Sequence, residues 1–221
     1  MKKNKFIVIE GLEGSGKTTV CKKIKKLLLL KNIDNVIIVR QPGSTFISEK
    51  IRKIIKFENK KENLNPYSEL LLLYSARLQL MENVIYPEFQ KGKWIISDRH
   101  NLSSFAYQGG GKGINKKLIE KLTKITDNFI KPNLTIFLDV DPKIGLQRAI
   151  LRNKLDRIEK KSINFFIKVR QCYLKYLSLE SKKIIVNANY KIEKVDKIIK
   201  KKLYKWLKNP NDYSFMVKKK I

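Results

Sequence analysis

Five short apolar runs punctuate the chain, at residues 5–9, 35–39, 93–97, 134–139 and 183–187. Each is continuous, as in NVIIV and LTIFLD, rather than alternating. Strands of that kind are covered on both faces. Amphipathic stretches with a helical period separate them. The pattern therefore predicts an α/β fold: a five-stranded parallel sheet with helices on both faces and right-handed crossovers. One helix is expected after the first run, with Val20, Ile24, Leu27 and Leu28 on one face. Another spans about Tyr67 to Gln90, opened by Asn65 and Pro66. Further helices are expected over about 115–129, 162–181 and 191–207. In the last, Val195, Ile198, Ile199, Leu203 and Trp206 form one stripe. Residues 1–208 read as one domain, without repeat or linker. The tail 209–221 has no periodicity and is expected to be mobile.

The first apolar run leads straight into GLEGSGKT, residues 11–18, and the helical pattern follows at once. That strand–loop–helix setting makes G-x-x-x-x-G-K-[ST] a phosphate-binding loop rather than a chance Gly-rich turn. Gly11, Gly14 and Gly16 let the backbone turn close to an anion. The amides of Gly11, Leu12, Glu13, Gly14, Ser15 and Gly16 and the helix N-terminus would face phosphates. Lys17 would reach the β- and γ-phosphates of a nucleotide, and the Thr18 hydroxyl would ligate Mg²⁺.

Charge changes the picture less than its size suggests. The formal net charge is +29. Of 49 basic residues only eight are Arg, and the lysines are spread along the whole length. A dispersed charge attracts polyanions non-specifically without building a recognition face, so no specific nucleic-acid role is read from it. No apolar run is long enough to span a membrane or to form a secretory signal. Cys21 and Cys172 both fall in helical patterns and read as reduced thiols of a cytoplasmic protein.

Further candidates lie at the carboxyl ends of the predicted strands, where α/β sheets bind ligands. Run 93–97 ends in Ser97-Asp98-Arg99-His100, which offers an acid for Mg²⁺ and a guanidinium for a second phosphate. Arg40-Gln41-Pro42-Gly43 follows run 35–39. Segment 107–113, YQGGGKG, holds four glycines in seven residues and reads as a flexible loop rather than a helix interior. Segment 146–159 carries Arg148, Arg152 and Arg157 with little apolar content, and reads as a short mobile lid that brings arginine to the phosphates. Where Lys is so dominant, the surviving arginines are expected where planar five-donor geometry is needed. Six of the eight fall in the segments just named or, for Arg77, in YSARLQ of the helix expected from Tyr67.

Taken together, IEGLEGSGKTT, RQPGST, YSARLQ, DRHNLSSFAYQGGGKGI and LDRIEKKS resemble the bacterial thymidylate kinase family, in the expected order over residues 9–162. The resemblance implies a P-loop kinase fold and transfer of the γ-phosphoryl of Mg·ATP to dTMP. It implies a homodimer. It implies that Glu13 contacts the deoxyribose 3′-hydroxyl, that Arg99 holds the dTMP phosphate, and that Arg40 and Pro42 border the same site. Arg77, Ser104 and Gln108 match or neighbour contacts to the thymine edge. Tyr107 matches the ring that disfavours a ribose 2′-hydroxyl. The Gln41–Pro42 bond is expected cis. Arg148 is expected near ATP, and Arg152 is the best match to the catalytic lid arginine, beside Lys17 and Arg99. Three positions depart from the family pattern: Gln41 for glutamate, Leu73 for the thymine-stacking phenylalanine, and Ile150 within the lid's arginine run. Two rival readings stay open at this point: another nucleoside monophosphate kinase, and a basic polyanion-binding protein with a vestigial phosphate loop.

Overall fold

The computed structural model describes residues 4–59, 61–152 and 155–209; the tail beyond Asn209 lies outside the described residues. The sheet contains β1 (Phe6–Gly11), β2 (Val36–Arg40), β3 (Trp94–Asp98), β4 (Leu134–Asp139) and β5 (Lys183–Asn187). All neighbours pair in parallel, in the order β2-β3-β1-β4-β5. Every predicted strand is present within two residues. The helices are α1 (Lys17–Leu29), α2 (Phe46–Lys56), α3 (Pro66–Leu80), α4 (Tyr86–Gln90), α5 (Asn101–Ser104), α6 (Lys116–Asp127), α7 (Pro142–Arg152), α8 (Ile163–Leu179) and α9 (Ile192–Lys208).

Alternate residues of β1 feed two cores, which is why the run is apolar throughout. Ile7 and Ile9 join Val20 and Ile24 of α1, Val169 and Tyr173 of α8, and Val195, Ile199, Leu203 and Trp206 of α9. Phe6 and Val8 pack against Leu80, Met81 and Ile85 on the other face. Complete coverage fails only at the rim, where Ile38 of edge strand β2 is exposed. No helix among the described residues is long and apolar enough to cross a membrane.

Polar side chains fix several helix starts. Thr45, Asn65, Asn115 and Ser162 each accept a hydrogen bond from a first-turn amide; a cap of this type contributes about 1 kcal/mol. The expected helix 67–90 runs from Pro66 to Gln90, with a π-helical turn at Met81–Ile85. That turn lies just ahead of Pro87, which cannot supply the usual backbone donor. Helix α2 was not among the expected helices, although Thr45 before an amphipathic stretch was a readable start.

Two expectations about irregular segments need correction. Residues 105–111 are not a loop: Phe105–Gly111 prolongs α5 as a π-helical turn. The glycines serve close packing. A Cβ on Gly110 would lie 2.4 Å from Cys172 Cβ, and one on Gly111 would lie 2.4 Å from the Phe165 ring, both on α8. Only the last residues, to Gly113, form the turn. The stretch 146–159 is also partly regular, because residues up to Arg152 complete α7. The described remainder turns back at Asp156–Glu159, where Asp156 Oδ1 accepts the amides of Ile158 (2.9 Å) and Glu159 (3.0 Å).

Candidate functional site

The register brings the carboxyl ends of β1, β3 and β4 level, pairing Ile9 with Asp98 and Gly11 with Leu138. The strand order switches sides at β1, with β2 and β3 on one side of it and β4 and β5 on the other, and the phosphate-binding loop leaves the sheet there. The loop packs tightly on α7: a Cβ on Gly14, whose φ is +69°, would lie 2.0 Å from the Gly145 carbonyl oxygen. Glycine is therefore required at 14 both for conformation and for space. A cavity of about 450 Å³ opens beside the loop, a volume suited to small-molecule ligands. Its lining includes Glu13, Gly14, Gly16, Lys17, Thr18, Arg40, Pro42, Leu73, Arg77, Asp98, Arg99, Ser104, Tyr107, Gln108 and Arg152.

Lys17 Nζ donates to the Leu12 carbonyl (2.7 Å) and is buried. Burial, with the repulsion of Arg99, lowers its pKa to about 8. The Thr18 hydroxyl donates to Asp98 Oδ2 (2.9 Å). A hydroxyl and a carboxylate in contact beside the loop suit a hard cation that takes most of its oxygens from phosphates and water. No group of three or more His, Cys, Asp or Glu side chains able to hold a metal occurs among the described residues. The Thr18–Asp98 pair is a two-oxygen donor set that would suit a hard cation arriving with phosphates.

Arg99 is locked. Its φ of +74° is a left-handed conformation that costs a non-glycine residue on the order of 1–3 kcal/mol. The flanking amides hold it: Arg99 N donates to the Ile9 carbonyl (2.9 Å) and His100 N to Glu10 Oε1 (2.8 Å). The guanidinium donates to Glu13 Oε1 (2.7 Å), the Gly11 carbonyl (3.0 Å), Ser103 Oγ (3.2 Å), Tyr107 OH (3.2 Å) and Tyr173 OH (3.3 Å). Tyr107 OH donates in turn to Glu13 Oε2 (2.5 Å). Behind this group Glu10 is fully buried and accepts from Ser103 Oγ (2.7 Å) and Tyr173 OH (2.9 Å). Burial raises its pKa against the pull of those donors and of Arg99.

Arg77 forms the opposite end. It is buried and donates through Nε to Gln41 Oε1 (2.8 Å) and through Nη2 to Ser104 Oγ (3.0 Å) and the His100 carbonyl (3.3 Å). Its Nη1 is buried and has no partner among the described residues. The Gln41–Pro42 bond is cis, as expected. His100 is buried, and its pKa falls well below the usual value through burial and Arg77, so it stays neutral and structural.

Three predicted residues are placed less directly. Arg40 lines the cavity but pairs with Glu49 through two bonds of 2.8 and 3.0 Å. Arg152 lines it while pairing with Glu159 (2.8 Å). Arg148 lies outside it, donating to the carbonyls of Ala188 (2.7 Å) and Asn189 (3.0 Å). Arg157 of the lid segment is an anchor: it binds Glu69 and the Ile55 carbonyl. The structure adds Arg52, which lines the cavity and donates to the Pro42 carbonyl (2.9 Å). The scarcity of arginine could have flagged it, being one of the two left outside the predicted segments. The other, Arg170, pairs with Asp139.

Comparison with known proteins agrees with this geometry. The thymidylate kinase family model matches residues 9–199. The chain belongs to the thymidylate kinase family. It is 56% identical to a thymidylate kinase of Buchnera aphidicola subsp. Acyrthosiphon pisum, over 94% of this chain and 98% of the relative. It is 45% identical to that of Vibrio parahaemolyticus, over 94% and 99%. The crystal structure of the Ehrlichia chaffeensis thymidylate kinase superposes with a TM-score of 0.73 at 26% identity, covering 93% of this chain and 99% of that one. Within the family frame, Gln41 and Leu73 both face the cavity, whereas Ile150 is exposed on α7.

Proposed function

We propose that this protein is a thymidylate kinase that transfers the γ-phosphoryl group of ATP to dTMP, giving dTDP and ADP. The observation that carries the reading is the shared cavity: a phosphate-binding loop at one wall, a locked arginine opposite, and a buried donor–acceptor cluster around Arg77. The loop amides and Lys17 hold the donor phosphates, with Arg148 at the donor side. Arg99 holds the dTMP phosphate, Glu13 and Tyr107 border the sugar, and Arg40, Pro42, Leu73, Arg77, Ser104 and Gln108 border the acceptor. Thr18 and Asp98 would hold Mg²⁺, which would supply charge neutralisation to the phosphates. The protein contributes alignment of two phosphates and cations around the spreading charge rather than covalent chemistry.

Residues 1–208 act as one kinase domain in which the segment about 146–159 closes as a lid and carries Arg152 to the transferring group. Exposed apolar side chains gather on the packed pair α2 and α3, including Phe46, Ile47, Ile54, Tyr67 and Leu71. Large apolar side chains left exposed on these two helices suit association, and a homodimer would cover them. Both cysteines are free thiols, which suits the reducing cytoplasm.

ADP release from ATP, measured with dTMP, dUMP, dCMP and AMP in parallel, tests the reading. Turnover highest with dTMP is expected. Preference for AMP or dCMP would make the protein a different monophosphate kinase. Failure to turn over any of them would remove the kinase reading.

A further inference from the structure

Glu69, in the first turn of α3, has no exposed surface and was not among the expected site residues. Three donors converge on it. Gln108 Nε2 donates to Oε1 (2.8 Å), while Lys112 Nζ (2.6 Å) and Arg157 Nη2 bind Oε2. Burial alone would raise the pKa of Glu69, but the hydrogen bonds of Arg157 and Lys112 outweigh it and hold the pKa below the ordinary carboxylate value. Glu69 is thus an ionised acceptor with no proton to donate.

That settles the orientation of the Gln108 amide. Presenting its oxygen to Glu69 would set two acceptors face to face in a buried site, so the NH₂ must point to Glu69. Gln108 Oε1 then has no protein partner among the described residues, and Gln108 lines the cavity. A fixed acceptor in the cavity complements a base edge that carries a ring N–H. A thymine or uracil ring carries that edge. Cytosine presents the reverse, an amine beside an unprotonated ring nitrogen.

We propose that Glu69 is a specificity-determining positioning residue: by holding the Gln108 amide in one orientation, it makes the pocket accept an N3–H base and reject cytosine. The proposal rests on the thymidylate kinase reading. Selectivity then depends on a residue that touches no substrate and that also anchors Arg157, near the C-terminal end of the proposed lid segment.

The test compares kcat/KM for dTMP and dCMP in Glu69→Gln. The neutral amide can pair with Gln108 in either orientation, so the Gln108 carbonyl is no longer held toward the substrate. The dTMP:dCMP ratio should fall by about tenfold or more, because a site that hydrogen-bonds its ligand loses discrimination when that group is released. Lys112→Met removes a cation from Glu69 but leaves the Gln108 contact, and should lower the melting temperature while preserving the ratio. A folded Glu69→Gln enzyme with an unchanged ratio overturns the proposal, as does an equal fall in Lys112→Met. Should Glu69→Gln not fold, binding of dTMP and its N3-methyl derivative to the unmodified protein decides. Affinity should drop about tenfold or more on methylation; equal binding overturns the acceptor role of Gln108 and the proposal with it. Failure of the underlying reading looks different: the unmodified protein would not phosphorylate dTMP at all.

Discussion

Two arginines face the same cavity in opposite conditions. Arg99, at the end of β3, has 17% of its side chain exposed and makes five side-chain hydrogen bonds. Arg152, at the end of α7, has 63% exposed and is held by one ion pair, to Glu159. The first is built before any ligand arrives. The second holds a contact that water screens and that is worth about 0–1 kcal/mol. A group meant to bind a phosphate in the ground state gains from being fixed, since its ordering cost is met by folding. A group meant to act only on the transferring phosphoryl must be free to leave its resting partner.

The largest expected effect breaks the fixed side. Arg99→Ala should lower kcat/KM for dTMP by about a thousandfold or more and should also lower the melting temperature. It removes the partner of Glu13 and Tyr107 inside a desolvated cluster, where unmade bonds are costly. Steady-state kinetics with thermal unfolding would check both. A full loss of activity at unchanged stability would mean that the cluster is not the rigid half.

Arg152→Ala should cost on the order of a thousandfold in kcat by analogy with arginines supplied in cis, yet leave the melting temperature nearly unchanged. Arg152→Lys keeps the charge and should still cost about tenfold, because an ammonium cannot bridge two oxygens with parallel bonds. In both, kcat should fall more than KM rises. Parallel Lys substitutions at 148 and 157 sharpen the assignment: if 152 is the least sensitive of the three, the acting arginine is another one.

Lys17 gives a smaller signal, read in protons. Its pKa near 8 means that about half the free enzyme carries an uncharged Lys17 at pH 8. Anionic phosphates restore the charge, so ATP binding should take up about half a proton there and far less at pH 6.5. Calorimetry in buffers of different ionisation enthalpy measures this. The sign for stability follows: the unfolded chain binds more protons at Lys17 between its folded pKa near 8 and the ordinary value of 10.5, so the penalty of burying this group fades and stability rises as pH rises through that window.

The smallest effect tests the resting contact of the free arginine. Glu159→Gln should change stability by no more than about 0.5 kcal/mol at the Arg152 pair. It should raise turnover slightly, because Arg152 no longer leaves an ion pair to act. A clear fall in turnover would show that Glu159 positions Arg152 productively instead.

The sequence by itself determined the sheet, the loop and most of the cavity wall. Continuous apolar runs could be only two-sided strands, because β1 must feed a core on each face through Ile7 and Ile9 and through Phe6 and Val8. GLEGSGKT could be read because its function depends on local backbone geometry, which neighbouring residues set. The segments following the strands could be read because a parallel sheet sends their carboxyl ends to one edge. Tertiary structure decided what depends on distant partners. Three glycines at 109–111 look like a break in any local reading, yet they lie in a helical turn, where α8 approaches Gly110 and Gly111 too closely for side chains. Arg157 looked like a lid cation, and it is an anchor because Glu69, 88 residues earlier, is buried beneath it. Glu69 itself gave no signal, being one acid on a helix; its place between Gln108, Lys112 and Arg157 exists only once three separate stretches of chain have packed together.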